Sequence, residues 1–196
     1  MSQTTALPLF PLQAVLFPGG HLPLRIFEPR YMDMIAECLR LHTTFGVCLI
    51  AAGGETGEAA VPHTVGTEAR VVAADADSIN EVNIVVVGER RFRVRDHSVD
   101  GMQLLTGEVE WLPPLPVTPL PEAQANLIPL LERIVRDLGE RVPQPHLFDD
   151  AEWVGARYAE VLPIPLLARQ KLLELDDVVS RLEIIQQYLD QRNLLA

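Results

Sequence analysis

Five prolines fall within nine residues, at 113, 114, 116, 119 and 121. Each fixes its own φ and lacks an N–H, so neither a helix interior nor a central strand tolerates that density. The stretch reads as an extended, semi-rigid linker, and the hydrophobic period changes across it. Before it, short apolar runs alternate with turn residues. After it, apolar residues recur with a period of 3.6. The expected class is therefore α+β, with a β-rich part over residues 1–115 and an all-helical part over 116–196. A chain of 196 residues accommodates that division, and this size buries roughly 70% of the unfolded surface.

The first part is punctuated by proline and glycine. Leu7–Phe10 and Leu22–Phe27 are strand candidates broken up by Pro8, Pro11, Pro18 and Gly19-Gly20. Such prolines confine strands to edges, ends or bulges. Phe45–Ala52 is a third candidate, closed by the turn at Gly53–Gly57, and Val65–Ala74 a fourth. Val82–Val87 is a run of β-branched residues apart from Asn83, read as the pattern of a strand buried on both faces. Gly88 is expected to break it before Arg90–Arg95 resumes. Met102–Trp111 closes the set, with Leu105, Gly107, Val109 and Trp111 on one face. Closely spaced short strands suggest a barrel or folded sheet. One helix interrupts them: Pro29 suits a first helical position, and Tyr31, Met34, Ile35, Cys38 and Leu39 follow at helical spacing to about Leu41.

Beyond the linker, Ala123, Leu127, Leu130, Ile134 and Leu138 form one helical stripe. Asp149 with Glu152 resembles a capping pair opening a helix through Val161. Pro165–Leu175 is a short helix, and Asp176 is expected to cap a last one carrying Val178, Leu182, Ile185 and Leu189.

Several function classes drop out. The only lysine, Lys171, lies between Gln170 and Leu172, so no Walker A loop exists. No G-x-G-x-x-G, H-E-x-x-H or C-x-x-C occurs. The net charge of -11 opposes general nucleic-acid or anionic-membrane binding. No apolar run approaches the ~20 residues of a membrane span. The start, Met1–Thr5, carries no basic segment leading into an apolar one, so a cytoplasmic location without a leader is expected.

Candidate chemistry is thin. None of the four serines lies in G-x-S-x-G, and Ser180 with Lys171 reads as two surface residues. Cys38 and Cys48 read as small buried hydrophobes. The histidines have no metal-ligand spacing; His146 beside Asp149 and Asp150 reads as a loop and helix cap. No catalytic residue, cofactor or metal is therefore expected. The run Arg90–Arg95 is the one positive patch, with Arg91, Arg93 and Arg95 projecting together. Pairing with nearby acids, such as Glu81, Glu89 or Asp96, explains it better than an anion or nucleic-acid contact does.

The most distinctive segment runs from Leu16 to Tyr31, L-F-P-G-G-H-L-P-L-R-I-F-E-P-R-Y. It is apolar and sits before a helix start, where Glu28 would complement the helix dipole and Arg30 would pair with an acid or a carbonyl. An apolar loop with polar rims holds extended partner segments, and it also simply packs. Together with Leu7–Leu12, Phe45-Gly46-Val47, Val65-Gly66-Thr67, Gly88–Val94, Gln170–Leu175 and Arg181-Leu182-Glu183, it makes the chain resemble the Lon N-terminal domain family. That is the substrate-binding domain of an ATP-dependent protease, found also as a stand-alone bacterial protein.

The resemblance implies a PUA-like β pseudo-barrel with one inserted helix, followed by a C-terminal helical bundle. It implies protein or peptide binding rather than catalysis. Because the sequence stops before any ATPase or Ser-Lys protease region, whatever is bound is not degraded by these residues. The leading expectation is a non-catalytic module for unfolded or exposed polypeptide, working with a proteolytic or chaperone machine. Binding is expected in an apolar groove between barrel and helices, with Phe17, His21, Leu22, Leu24, Glu28, Arg30 and Tyr31 as the partner-binding residues. An RNA-binding PUA-like protein and a small-molecule-binding protein stand as alternatives.

Overall fold

Proline places the first strand's partners. β1 (Thr5–Leu12) carries Pro8 and Pro11, yet it has a neighbour on each side. It pairs antiparallel with β7 (Leu105–Trp111) through Leu9 and parallel with β3 (Phe45–Ala52) from Leu9 onward. Each half of β1 is thus an edge on one side, which is where a missing N–H is tolerated. The computed structural model describes residues 4–78 and 81–195; residues 1–3, part of the N-terminal stretch read above, and 79, 80 and 196 lie outside it. The chain forms two units, Met1–Pro113 and Pro114–Ala196.

In the first unit the strand path is β1-β7-β6-β5-β3-β4, where β4 is Val61–Pro62, β5 Val65–Ser78 and β6 Glu81–Val99. The β1–β3 pairing joins two members of that path, so five strands close on themselves. β2 (His21–Ile26) lies off the path and pairs with β6 over Val82–Val87. Successive β1 residues face opposite ways. Leu7 and Leu9 join Cys48, Phe92, Leu105 and Val109 in one core. Phe10 and Leu12 join Ile26, Phe45, Val86 and the apolar face of α1 (Pro29–Leu41) in another.

Three expectations need correcting here. β6 is one strand, not two: Gly88 pairs opposite Ala69, beside a one-residue shift of register before Thr67 and Arg91. Its carbonyl accepts from the Gly19 amide at 2.8 Å and its amide donates to the Gly20 carbonyl at 2.9 Å. A Cβ there would collide with the Phe17 carbonyl oxygen, so this glycine permits a close approach and ends nothing. The Val82–Val87 run is not buried on both faces; Ile84 and Val86 are buried, and Val82, Asn83, Val85 and Val87 are half-buried. β4 escaped the sequence reading, being only two residues long.

In the second unit the first helical stretch splits. Glu122–Leu127 is a 3-10 turn, and α2 (Ile128–Leu138) begins where Pro129 can occupy its first turn. The buried face is Leu127, Leu131 and Val135; Leu130 and Ile134 are half-buried and Ala123 exposed. The caps fall one residue later than expected. Asp150 accepts from Glu152 N to open α3 (Ala151–Val161), and Asp177 accepts from Val179 N and Ser180 N to open α5 (Val178–Asp190). Between them lies α4 (Leu166–Glu174). The Tyr158 hydroxyl donates to the Leu127 carbonyl at 2.6 Å, inside the core.

Glu160 of this unit is a pH-sensitive carboxylate. Glu160 keeps 22% of its side-chain exposure and accepts from buried Arg157 at 2.8 Å. Burial pushes its carboxyl up to about 7, and Glu152 adds to the rise, against Arg157 and Arg169. A carboxyl raised in the fold stabilises when protonated, and that contribution is lost as pH rises from about 4.5 through about 7. Glu160→Gln is therefore expected to gain about 2 kcal/mol on the parent between pH 5 and pH 8, whatever its constant offset. Urea unfolding of both proteins at the two pH values measures this; a parallel offset would refute it.

Candidate functional site

β2 and the start of α1 enclose a cleft of about 260 Å³. Pro23 sits in β2, which pairs with β6, and no other described strand pairs with its second edge. Leu22 and Leu24 are half-buried and line the cleft, as do Ile26 and Phe27. Phe10 and Tyr31 form another part of its wall, their rings stacked 3.9 Å apart. Phe27 is 56% exposed, an aromatic ring at the strand's end with water on much of its surface.

Polar groups are few and placed at the helix entrance. Glu28 is the N-cap of α1, but its side chain makes no capping hydrogen bond. It turns instead to Arg30, whose Nη2 lies 2.7 Å from Glu28 Oε2. Arg30 is buried, and its Nη1 donates to the Gln103 carbonyl at 2.8 Å. It thus pairs with both an acid and a carbonyl. Glu55, from the turn after β3, reaches the same cleft and accepts from Gln13 N at 2.6 Å. Burial raises the Tyr31 phenol; Arg30 opposes the rise, and Glu28 and Glu55 add to it. The cleft is thus apolar at its walls, with the Glu28 and Glu55 carboxylates and the Arg25 guanidinium also in its lining.

Of the seven residues picked from sequence, Leu22, Leu24, Glu28 and Tyr31 line this cleft together. Arg30 lines a second, larger cavity of about 870 Å³, shared with Met34, Glu68, Arg90 and Trp111. His21 opens β2 and is half-buried, outside both linings. Phe17 is fully buried, with 0% exposure, and is withdrawn from the candidate surface. Sequence reasoning missed Phe27, Phe10 and Glu55. Phe27 follows β2 directly and precedes Glu28, a signal that was available; nothing local placed Glu55 against Gln13, 42 residues away.

The arginine run does not make a free cationic face. Arg91 is buried, and Arg95 pairs with Glu110. Arg90 pairs with Glu68 at 2.8 Å and lies 3.8 Å from the Trp111 ring centre. Burial pushes the Glu68 carboxyl up, but bonds from Arg90 and Thr44 outweigh it and hold it below its ordinary value. The partners differ from those expected, since Glu89 pairs with Arg70 and Glu81 with Arg25. Among the described residues, no group of three or more His, Cys, Asp or Glu is placed to hold a metal ion. Burial raises both thiols, Cys48 to about 12, so neither is an activated nucleophile. No helix among the described residues is long and apolar enough to cross a membrane.

Comparison with known proteins gives a consistent answer. The family model of the ATP-dependent protease La (LON) substrate-binding domain matches residues 6–191. Lon protease 2 of Myxococcus xanthus is 28% identical over 95% of this chain, which spans only 24% of that protein's length. The crystal structure of a Lon N-terminal domain protein from Xanthomonas campestris is 38% identical, with a TM-score of 0.79 over 94% of this chain and 98% of that one. The N-terminal domain of Mycobacterium avium complex Lon protease shares the fold at 16% identity, with a TM-score of 0.68 over 95% of this chain and 98% of that one.

Proposed function

Because the chain belongs to the substrate-binding domain family of ATP-dependent protease La (Lon), we propose that it recognises exposed or unfolded polypeptide and that residues 1–115 do so as a PUA-like β pseudo-barrel. The helical residues 116–196 form a separate subdomain. Recognition is the whole task of these residues; cleavage belongs to a protease that accepts the bound segment. The observation that carries this reading is the β2–α1 cleft, in which apolar side chains meet a strand edge that no other described strand pairs with. An extended segment added to such an edge gains main-chain hydrogen bonds, and its alternate side chains enter the pockets. The pairing of Arg90 and Arg95 with carboxylates disfavours a phosphate-backbone ligand.

Fluorescence polarisation with labelled unstructured peptides tests the reading, with a folded protein and an RNA oligomer as controls. Micromolar binding of apolar peptides is the expected result. Leu24→Asp puts a charge on the half-buried wall of the cleft and is expected to weaken that binding at least about tenfold. Its thermal unfolding should remain cooperative. Unchanged affinity in the folded variant would remove the cleft from the proposal, and silence from every peptide would reject recognition of unfolded chains.

A further inference from the structure

Glu28 Oε1 is shielded from solvent and has no hydrogen-bond partner, although its residue lines the cleft. A carboxylate oxygen in that position carries a desolvation cost that only a donor relieves. The neighbouring cations are already committed elsewhere. Arg30 holds the other oxygen, Oε2, and anchors to the Gln103 carbonyl, and it lines the larger cavity rather than the cleft. Arg25 lines the cleft but is tied to Glu81, with Nε 2.5 Å from Oε1 and Nη2 2.5 Å from Oε2. Glu55 adds a second carboxylate to the lining, and both it and Glu28 are close enough to act on the Tyr31 phenol.

We propose that the β2–α1 cleft selects extended segments carrying a basic side chain, Lys or Arg, whose charged end pairs with the partly exposed Glu28 carboxylate. This rests on the reading that the cleft takes extended polypeptide. The size fits: about 260 Å³ falls below the ~300–1,000 Å³ of ordinary small-molecule sites, so one long side chain fills it. The chemistry fits too. A lysine or arginine lays an aliphatic stem along apolar walls and keeps its charge at the polar end. Here the walls are Leu22, Leu24 and Phe10, and the polar end is Glu28. The exposed Phe27 ring offers the passing cation a π face. Residues 1–115 hold eight basic and fourteen acidic groups, net -6, a field that draws basic segments in.

The test is a set of four labelled peptides, extended and apolar, identical except for a central Lys, Arg, norleucine or Glu. Polarisation titrations of the full chain are expected to rank Lys and Arg about tenfold above norleucine, with Glu weakest, the order a charge-assisted hydrogen bond produces. Glu28→Gln should bring the Lys-to-norleucine ratio close to one. Raising the salt should erode that ratio. Equal binding of all four peptides would overturn the inference and leave the proposed function standing. That result would mean that Glu28 closes both oxygens onto Arg30, whose Nε also lacks a partner. A preference that persists in Glu28→Gln would overturn the assignment to this carboxylate. Failure of every peptide to bind would reject the proposed function itself.

Discussion

Phe17→Ala is expected to destabilise the first unit by about 3–5 kcal/mol, the range for deleting a buried aromatic ring. Phe17 has 0% exposure and follows Leu16, whose carbonyl accepts from the Thr67 hydroxyl at 2.6 Å in the interior. Its own carbonyl accepts from Gly20 N at 3.0 Å and abuts the space that a side chain on Gly88 would need. Leu16–Gly20 is thus held to β6 by two hydrogen bonds and to β5 by one, and Phe17 is fully buried within it. Phe17→Asp adds an unpaired buried charge and should leave no cooperative transition for this unit. The two tryptophans, Trp111 and Trp153, fall in different units, so a Trp153→Phe background isolates the signal of the first. Denaturant unfolding followed at Trp111 reads the loss; a change below 1 kcal/mol would refute the packing role. Peptide affinity in Phe17 variants would report folding, whereas Leu24 variants report the cleft.

Phe17 also shows where sequence reasoning stops. Proline and glycine punctuation located the loop, and the family resemblance drew attention to it, but neither tells a ring turned inward from one turned out. Phe17 and Phe27 are both aromatic residues beside proline or glutamate, and one is buried while the other is 56% exposed. The difference lies in β6, about 70 residues away, where Gly88 lets the Phe17 backbone come close. Local chemistry was legible: Phe45–Ala52 and Pro29–Leu41 stand where their patterns placed them. Long-range consequences were not. Arg91, Arg93 and Arg95 do not project together as expected: Arg91 is buried and Arg95 sits at a register shift between Val94 and Asp96, and the pairing of Arg90 with Glu68 and Arg95 with Glu110 depends on strand neighbours. The cap positions slipped by one residue because Asp149-Asp150 and Asp176-Asp177 each offer two equivalent capping side chains.

The candidate site was legible in part for the same reason. Leu22, Leu24, Glu28 and Tyr31 converge because strand and helix adjoin in sequence. The short link between Ile26 and Pro29 holds the end of β2 beside the first turn of α1. Glu55 reaches the cleft only through tertiary structure. Its side chain fixes the Gln13 amide, so the turn after β3 is joined to the segment that follows β1. Such a contact has no period and no motif.

Arg181→Ala is expected to cost the helical unit about 3–5 kcal/mol, the range for removing one member of a buried charged arrangement. Arg181 is 1% exposed, in the first turn of α5. Its Nε donates to the Leu172 carbonyl and its Nη2 to the Leu175 carbonyl, each at 3.0 Å. These carbonyls lie at the end of α4, where a helix leaves acceptors unmet. One guanidinium therefore caps α4 from α5, while its Nη1 stands 3.7 Å from the Glu152 carboxylate of α3. The stem packs on Gly155, where an added Cβ would stand 3.0 Å from the Arg181 Cδ. Arg181→Met keeps the stem and loses the donors, so it should fall between parent and alanine variant. Arg181→Lys keeps the charge but cannot span two carbonyls with a fork, and should not restore full stability. Unfolding followed at Trp153, in a Trp111→Phe background, orders the three variants. If methionine matched the parent, the fork would be dispensable and apolar packing alone would join α4 to α5.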